Sequence, residues 1–313
     1  MANKKTCLKA LPQNLNKGNY YENEANWQFM SVSQFKSFQQ CEARTMAELK
    51  KDWEKEMDNI ALLVGNFVHS YFESEDEHES FKQENASSMF KEPTVAEIKA
   101  KLDHAEIDYK KSIKKDDLIS IAEENKISIP TGDLLSKFAI GNQMIERVEK
   151  DPLFNHLWQG ESEVIIVEEM FGVTWKARID LLNVEKGYFI DLKTSQQLNK
   201  RFWNKRYSGW VSFVEEYGYT IQMAMYEKML EKKYGKPFKG IIYAVSKQTP
   251  SDIGAIKVEQ RKLEFELEFV EAQIEHVMKV KNGEEKPVMC GQCDYCREKK
   301  QLSSFIGTDE LID

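Results

Sequence analysis

The spacing of apolar positions changes along this chain, and each change predicts a different element. From residue 31 onward Phe35, Phe38, Ala43, Met46, Leu49 and Trp53 recur at helical intervals behind Ser33, a plausible N-cap. Further helices are predicted over 60–72 and 133–150, the second carrying Leu134, Leu135, Phe138, Met144, Ile145 and Val148 and stopped by Pro152. Between them the acidic run 73–79 reads as a solvated loop, and 93–125 as two short amphipathic helices around a lysine-rich connector. At residue 163 the period falls to two, predicting strands 163–169, 174–182 and 187–192 with a turn at Phe171 and Gly172. A helix over 213–233, a strand over 239–246 and a long helix over 259–281 complete the pattern. The expected fold class is α/β, a mixed sheet flanked by helices. Residues 27–160 form a helical region, 161–285 the core and 286–313 a tail, while the polar stretch 1–26, with Pro12 and Gly18, reads as a flexible or loosely docked arm.

Composition narrows the possible functions. No basic start leads into an apolar run, and no stretch of about 18 apolar residues is uninterrupted, so a soluble cytoplasmic protein without a membrane partner is expected. A net charge of −8 argues against a protein that simply coats a polyanion. Charge is unevenly spread, however: residues 186–247 hold twelve Lys and Arg against five Asp and Glu. Five cysteines in a reducing compartment suggest metal ligation rather than disulfides. Cys290, Cys293 and Cys296 stand at CxxCxxC spacing, Cys41 is the best fourth ligand, and Cys7 reads as a free thiol. Either an iron–sulfur cluster or zinc suits such a set.

Chemistry concentrates on two neighbouring strands. Side chains two apart on a strand share a face, so Asp191 and Lys193 point one way and Leu192 the other. On the preceding strand Lys176, Arg178 and Asp180 alternate with Trp175, Ala177 and Ile179, so pairing of the two strands brings Asp180 toward Asp191. Two converging carboxylates repel, and a divalent cation such as magnesium relieves the repulsion while activating a phosphate oxygen and a bound water. Lys193 beside them can orient that water and stabilise charge on the phosphorane. Farther along, Gln222 and Tyr226 lie four apart on one helix face. Lys200, Arg201, Lys205 and Arg206, interleaved with Phe202, Trp203, Tyr207 and Trp210, form a candidate DNA contact in which rings stack on unpaired bases and cations hold phosphates.

The run IDLLNVEKGYFIDLKTS followed by QMAMY resembles the RecB-type branch of the PD-(D/E)xK nuclease superfamily, and is most similar to phage and prophage exonucleases related to RecE. The resemblance implies a restriction-endonuclease-like core with Mg2+ or Mn2+ held by Asp180, Asp191 and the backbone carbonyl of Leu192. It assigns Gln222 and Tyr226 to positioning the lysine or contacting DNA. It also implies a GxxxH motif, supplied by Gly65 and His69, in which the histidine is a further metal ligand. Gly65 lets the helix approach the site, Glu73 is a candidate outer acid, and Glu163 is either an acidic contact or a solvated strand end. One cysteine before the core and three after it resemble the [4Fe–4S] staple of AddB and of CRISPR adaptation nucleases, although the last cysteines are more closely spaced here. Residues 93–125 resemble helix–loop–helix modules of the SAP and HeH type, many of which touch nucleic acid; a solvated hairpin inserted between core elements is the alternative. The expected activity is digestion of linear duplex DNA during phage-type recombination in a bacterial host. Its partners would be DNA ends, single-stranded DNA and a single-strand annealing protein, and the chain would assemble as a homo-oligomer. An endonuclease or flap nuclease of the same fold, or a catalytically decayed DNA-binding scaffold, are the alternatives.

Overall fold

The switch from helical to alternating period marks a switch of layer. A computed structural model describes residues 15–54, 60–91, 93–110, 112–127, 134–302, 304–305 and 307–311. Helices α1 (Asn23–Gln28), α2 (Val32–Gln40), α3 (Glu42–Leu49), α4 (Ile60–Glu73), α5 (Glu75–Glu84), α6 (Ala86–Met89), α7 (Val95–His104), α8 (Lys115–Glu124), α9 (Ser136–Glu149) and α10 (Pro152–Leu157) come first. Strands β1 (Glu161–Met170), β2 (Val173–Asn183) and β3 (Tyr188–Ser195) follow. A small hairpin of β4 (Phe202–Asn204) and β5 (Gly209–Val211) leads into α11 (Phe213–Glu216) and α12 (Tyr219–Tyr234). Then come β6 (Lys239–Ser246), β7 (Ile253–Ile256), α13 (Gln260–Lys281) and α14 (Asp294–Glu298).

The main sheet runs β1-β2-β3-β6-β7, antiparallel throughout except for the parallel pair β3 and β6. Both faces are covered. Trp175, Ala177, Ile179, Phe189 and Ile242 pack with α2, α12 and α13, while Leu181, Ile190, Leu192, Tyr243 and Val245 pack with α4, α9 and α10. Burial on both faces explains why β6 is apolar along nearly its whole length.

Several elements depart from the expected pattern, each for a local reason. The helix expected from residue 31 is two helices, because Cys41 adopts an extended conformation between α2 and α3; Ser31, rather than Ser33, caps α2 by accepting from the Gln34 N–H. The acidic run is helical. Ser74 caps α5, its three acids sit in the first turn where the helix dipole favours them, and His78 anchors it against Phe67 and Ser70. Gly218, at φ 63°, separates α11 from α12 within the expected helix 213–233. The hairpin and β7 were not anticipated, being only three and four residues per strand.

Of the arm, residues 15–26 are described, and they are docked rather than loose. Met30 bridges to β2, the buried Lys176 ammonium donates to the Tyr20 carbonyl and, at 2.8 Å, to Asn26 Oδ1, and Lys281 Nζ donates to Phe29 O at 3.0 Å and Gln34 Oε1 at 2.9 Å. Cys7 and Asp133 lie outside the described residues. Helices α7 and α8 enclose a small cluster of their own, formed by Ile98, Leu102, Leu118 and Ala122. The excursion that carries them starts and ends at one place: Phe90 bridges to Leu134, and Leu135 N–H donates to Met89 O at 2.9 Å. Among the described residues, no helix is long and apolar enough to cross a membrane.

Candidate active site

The β2–β3 ladder stops at Leu181 and Ile190, one residue short of Asp180 and Asp191. Beyond that point the strands part, and the Asp180 carboxylate takes the place of a strand partner, accepting the Leu192 N–H at 2.7 Å. The fork therefore brings two carboxylates together at the centre of the sheet, Asp191 buried and Asp180 partly so. Helix α4 reaches it from one side, and α12 from the other.

Helix α4 brings His69, whose Nδ1 lies 3.6 Å from Asp180 Oδ2. Gly65 stands one turn earlier, where an added Cβ would come within 3.2 Å of Thr194 Oγ1, so its missing side chain allows the close approach of α4 to β3. Burial, reinforced by the charge of Lys193, pushes the His69 imidazole down to about 4 and so keeps it neutral, the form that binds metal. Helix α12 brings Gln222, whose Nε2 donates to Asp191 Oδ1 at 2.7 Å, with Tyr226 buried behind it. Gln222 thus fixes the carboxylate directly. Burial raises both Asp180 and Asp191 above the usual carboxylate range, with Lys193 opposing. For Lys193 burial works against the charge, but Asp191 and Asp180 outweigh it and raise the ammonium above its ordinary value.

Lys193 Nζ is 2.7 Å from Asp191 Oδ2 and lies over the Tyr219 ring, 5.0 Å from its centroid. The other side of the constellation holds Lys36, also over Tyr219 at 5.3 Å and lowered to about 8 by burial and by Lys193. Neither Lys36 nor Tyr219 was anticipated. Tyr219 precedes Gln222 by one turn, a spacing that could have flagged it; Lys36 carries no local signal. Nor was the wall formed by Tyr20, Tyr21 and Arg178. Arg178 pairs with Glu163 and, at 3.1 Å, with Glu73, so both of these acids bind an arginine rather than standing free. His69, Asp180, Asp191, Lys193, Gln222 and Tyr226 line one cavity of about 560 Å³ with Tyr20, Tyr21, Arg178, Glu73 and Glu163, while Lys36 and Tyr219 stand outside its lining.

The donor set suits a hard divalent cation, since two carboxylates and a neutral imidazole meet here. Leu192 sends its side chain into the core, leaving its backbone at the fork.

The aromatic and basic segment after β3 divides. Lys200, Arg201, Trp203 and Lys205 are exposed on or beside the hairpin, where Trp203 and Trp210 pair edge to face at 5.8 Å with Arg201 over Trp210. Arg206 is different. Its guanidinium turns inward to buried Glu266, at 2.5 Å and 2.6 Å, where Tyr207 and Thr220 also donate. The expected DNA contact at Arg206 is thus replaced by a structural one, because an unpaired buried carboxylate would cost more than a solvated arginine gains.

At the far side of the helical layer, Cys41 meets Cys290, Cys293 and Cys296, with all four sulfurs within 4.8 Å of one another. None is in a disulfide.

The sequence matches the family described as a PDDEXK-like domain of unknown function (DUF3799) over residues 31–124 and 108–299. A crystal structure from Eubacterium rectale, provisionally described as an exonuclease, is 30% identical with a TM-score of 0.77, covering 96% of this chain and 98% of its own. A second crystal structure, SSO0001, is 17% identical with a TM-score of 0.27, covering 64% of this chain and 90% of its own, too distant to support an argument. No curated protein matches.

Proposed function

Since the chain belongs to the PDDEXK-like family DUF3799, a nuclease family by its fold, we propose that it is a Mg2+-dependent exodeoxyribonuclease acting on the ends of linear duplex DNA. The observation that carries this reading is the sheet fork, where Asp180, Asp191, neutral His69 and Lys193 face a single cavity. The exonuclease description of the Eubacterium rectale relative supports the choice of reaction.

Asp180, Asp191, His69 and the Leu192 carbonyl would hold the cation, which supplies Lewis acidity to the scissile phosphate and lowers the pKa of a water. The chain's own residues do the rest. Gln222 fixes the rotamer of Asp191, and Tyr226 backs Gln222. Lys193, held protonated by its two acids, places a positive charge where the phosphorane gathers negative charge. Lys200, Arg201, Trp203 and Lys205 are assigned to the DNA strand beside the site. Single strands made this way would feed a single-strand annealing protein in phage-type recombination within the bacterial cytoplasm, with the nuclease working as a homo-oligomer.

Release of acid-soluble nucleotide from linear duplex DNA, with Mg2+ and with chelator, tests this reading against a covalently closed circle. Mg2+-dependent release from linear DNA alone is expected. Cutting of the circle would establish an endonuclease instead, and no release from either would reduce the protein to a binding scaffold.

A further inference from the structure

The four-cysteine site can be assigned by size, independently of the nuclease reading. Four thiolates about 2.3 Å from one zinc ion stand about 3.8 Å apart at the corners of a tetrahedron. Here Cys41 Sγ lies 3.5 Å from Cys296 Sγ, Cys290 Sγ lies 3.8 Å from Cys296 Sγ, and no pair of the four exceeds 4.8 Å. In a [4Fe–4S] cube each thiolate caps a different iron, so the cysteine sulfurs are held apart by the cube as well as by the bonds. Four sulfurs this close leave no room for it. The cluster implied by resemblance to AddB does not fit, and we propose that Cys41, Cys290, Cys293 and Cys296 form a structural zinc site closed by four thiolates.

Supporting contacts hold the cysteines at this separation. Cys41 sits at the break between α2 and α3, where its sulfur accepts the Arg44 N–H at 3.5 Å, and Cys290 accepts the Cys293 N–H at 3.4 Å. Gly291, at φ 77°, turns the chain between the first two ligands. Glu42, next to Cys41, accepts the Val288 N–H at 2.8 Å and pairs with His276 at 2.7 Å; Trp53 donates to Glu298 at 2.7 Å and packs on Tyr295. The walls of the site are thus set by bonds that bypass the sulfurs. Four soft donors in a tetrahedron select zinc over magnesium or calcium.

The test is metal analysis of wild-type protein purified anaerobically from cells supplied with both iron and zinc. About one zinc per chain is expected, with no visible absorption, and Cys293→Ser should lose that zinc and melt at a lower temperature. If the variant does not fold, Co2+ added to chelator-stripped wild-type protein should give the intense visible bands of a tetrahedral tetrathiolate. Iron with acid-labile sulfide and a broad shoulder near roughly 400 nm would overturn the proposal in favour of a cluster. So would a single iron without sulfide, or four reactive thiols with no metal and no cobalt spectrum.

Discussion

At the residue scale the fork assigns each contact a separate effect. Metal-ion catalysis is worth several kcal/mol, so Asp191→Ala should slow cleavage on the order of 10³-fold while leaving DNA binding, read by fluorescence anisotropy, within about twofold. Gln222 acts through Asp191, and loss of an outer partner of a ligand costs about 10–100-fold in metal affinity or activity. Gln222→Ala should therefore raise the Mg2+ concentration needed for half-maximal rate, and excess Mg2+ should restore most of the activity; an unchanged Mg2+ dependence would mean that Gln222 does not position the ligand. Lys281 provides a pH signature. Burial, with Lys176 adding to it, lowers this ammonium to about 7. The unfolded chain therefore binds a proton that the folded chain lacks between about pH 7 and the ordinary lysine value of 10.5. Stability from this group is full above the unfolded value and falls as pH drops toward 7, by at most about 1.4 kcal/mol per pH unit. Urea unfolding across that range should show a steeper rise with pH in wild type than in Lys281→Met.

At the element scale, the hairpin and the buried carboxylate behind it should separate by experiment. Trp203→Ala and Trp210→Ala each remove an exposed ring, so single-stranded DNA should bind about 1–3 kcal/mol more weakly with the melting temperature unchanged. Arg206→Ala leaves the buried Glu266 without its counter-charge, with only Tyr207 and Thr220 still donating, a loss of up to about 3–5 kcal/mol in stability, which calorimetry would register. This division was not legible in the sequence, where Lys205 and Arg206 are adjacent and alike; only the position of Glu266, 60 residues away, distinguishes them. Strands β1, β2, β3 and β6 were legible because their alternation or their continuous apolar run reflects a sheet buried on both faces. The DxK register was legible because side-chain alternation on a strand is fixed by geometry. The break at Cys41 was not, since apolar spacing continues across it and the sulfur contacts that require it come from the other end of the chain. Helix α5 escaped notice because its one buried anchor, His78, is polar and shares the helix with five acids.

At the scale of the whole molecule, the excursion bearing α7 and α8 leaves and rejoins the fold at the Phe90–Leu134 bridge and has its own small core. Replacing residues 93–127 with a short glycine linker should leave the melting temperature nearly unchanged and short-duplex cleavage intact; unfolding of that variant would make the excursion part of the core. The cysteine site has the opposite role, joining parts of the chain that the sheet keeps apart. Considered mechanically, it is a clamp in parallel with the nuclease core. If the protein is pulled from its two ends, the segment ahead of Cys41 peels from β2 first. With the four sulfurs bridged, tension then passes straight from the end of α2, through Cys41, to α14. The sheet fork, where Asp180 and Asp191 converge, bears no load until the clamp opens.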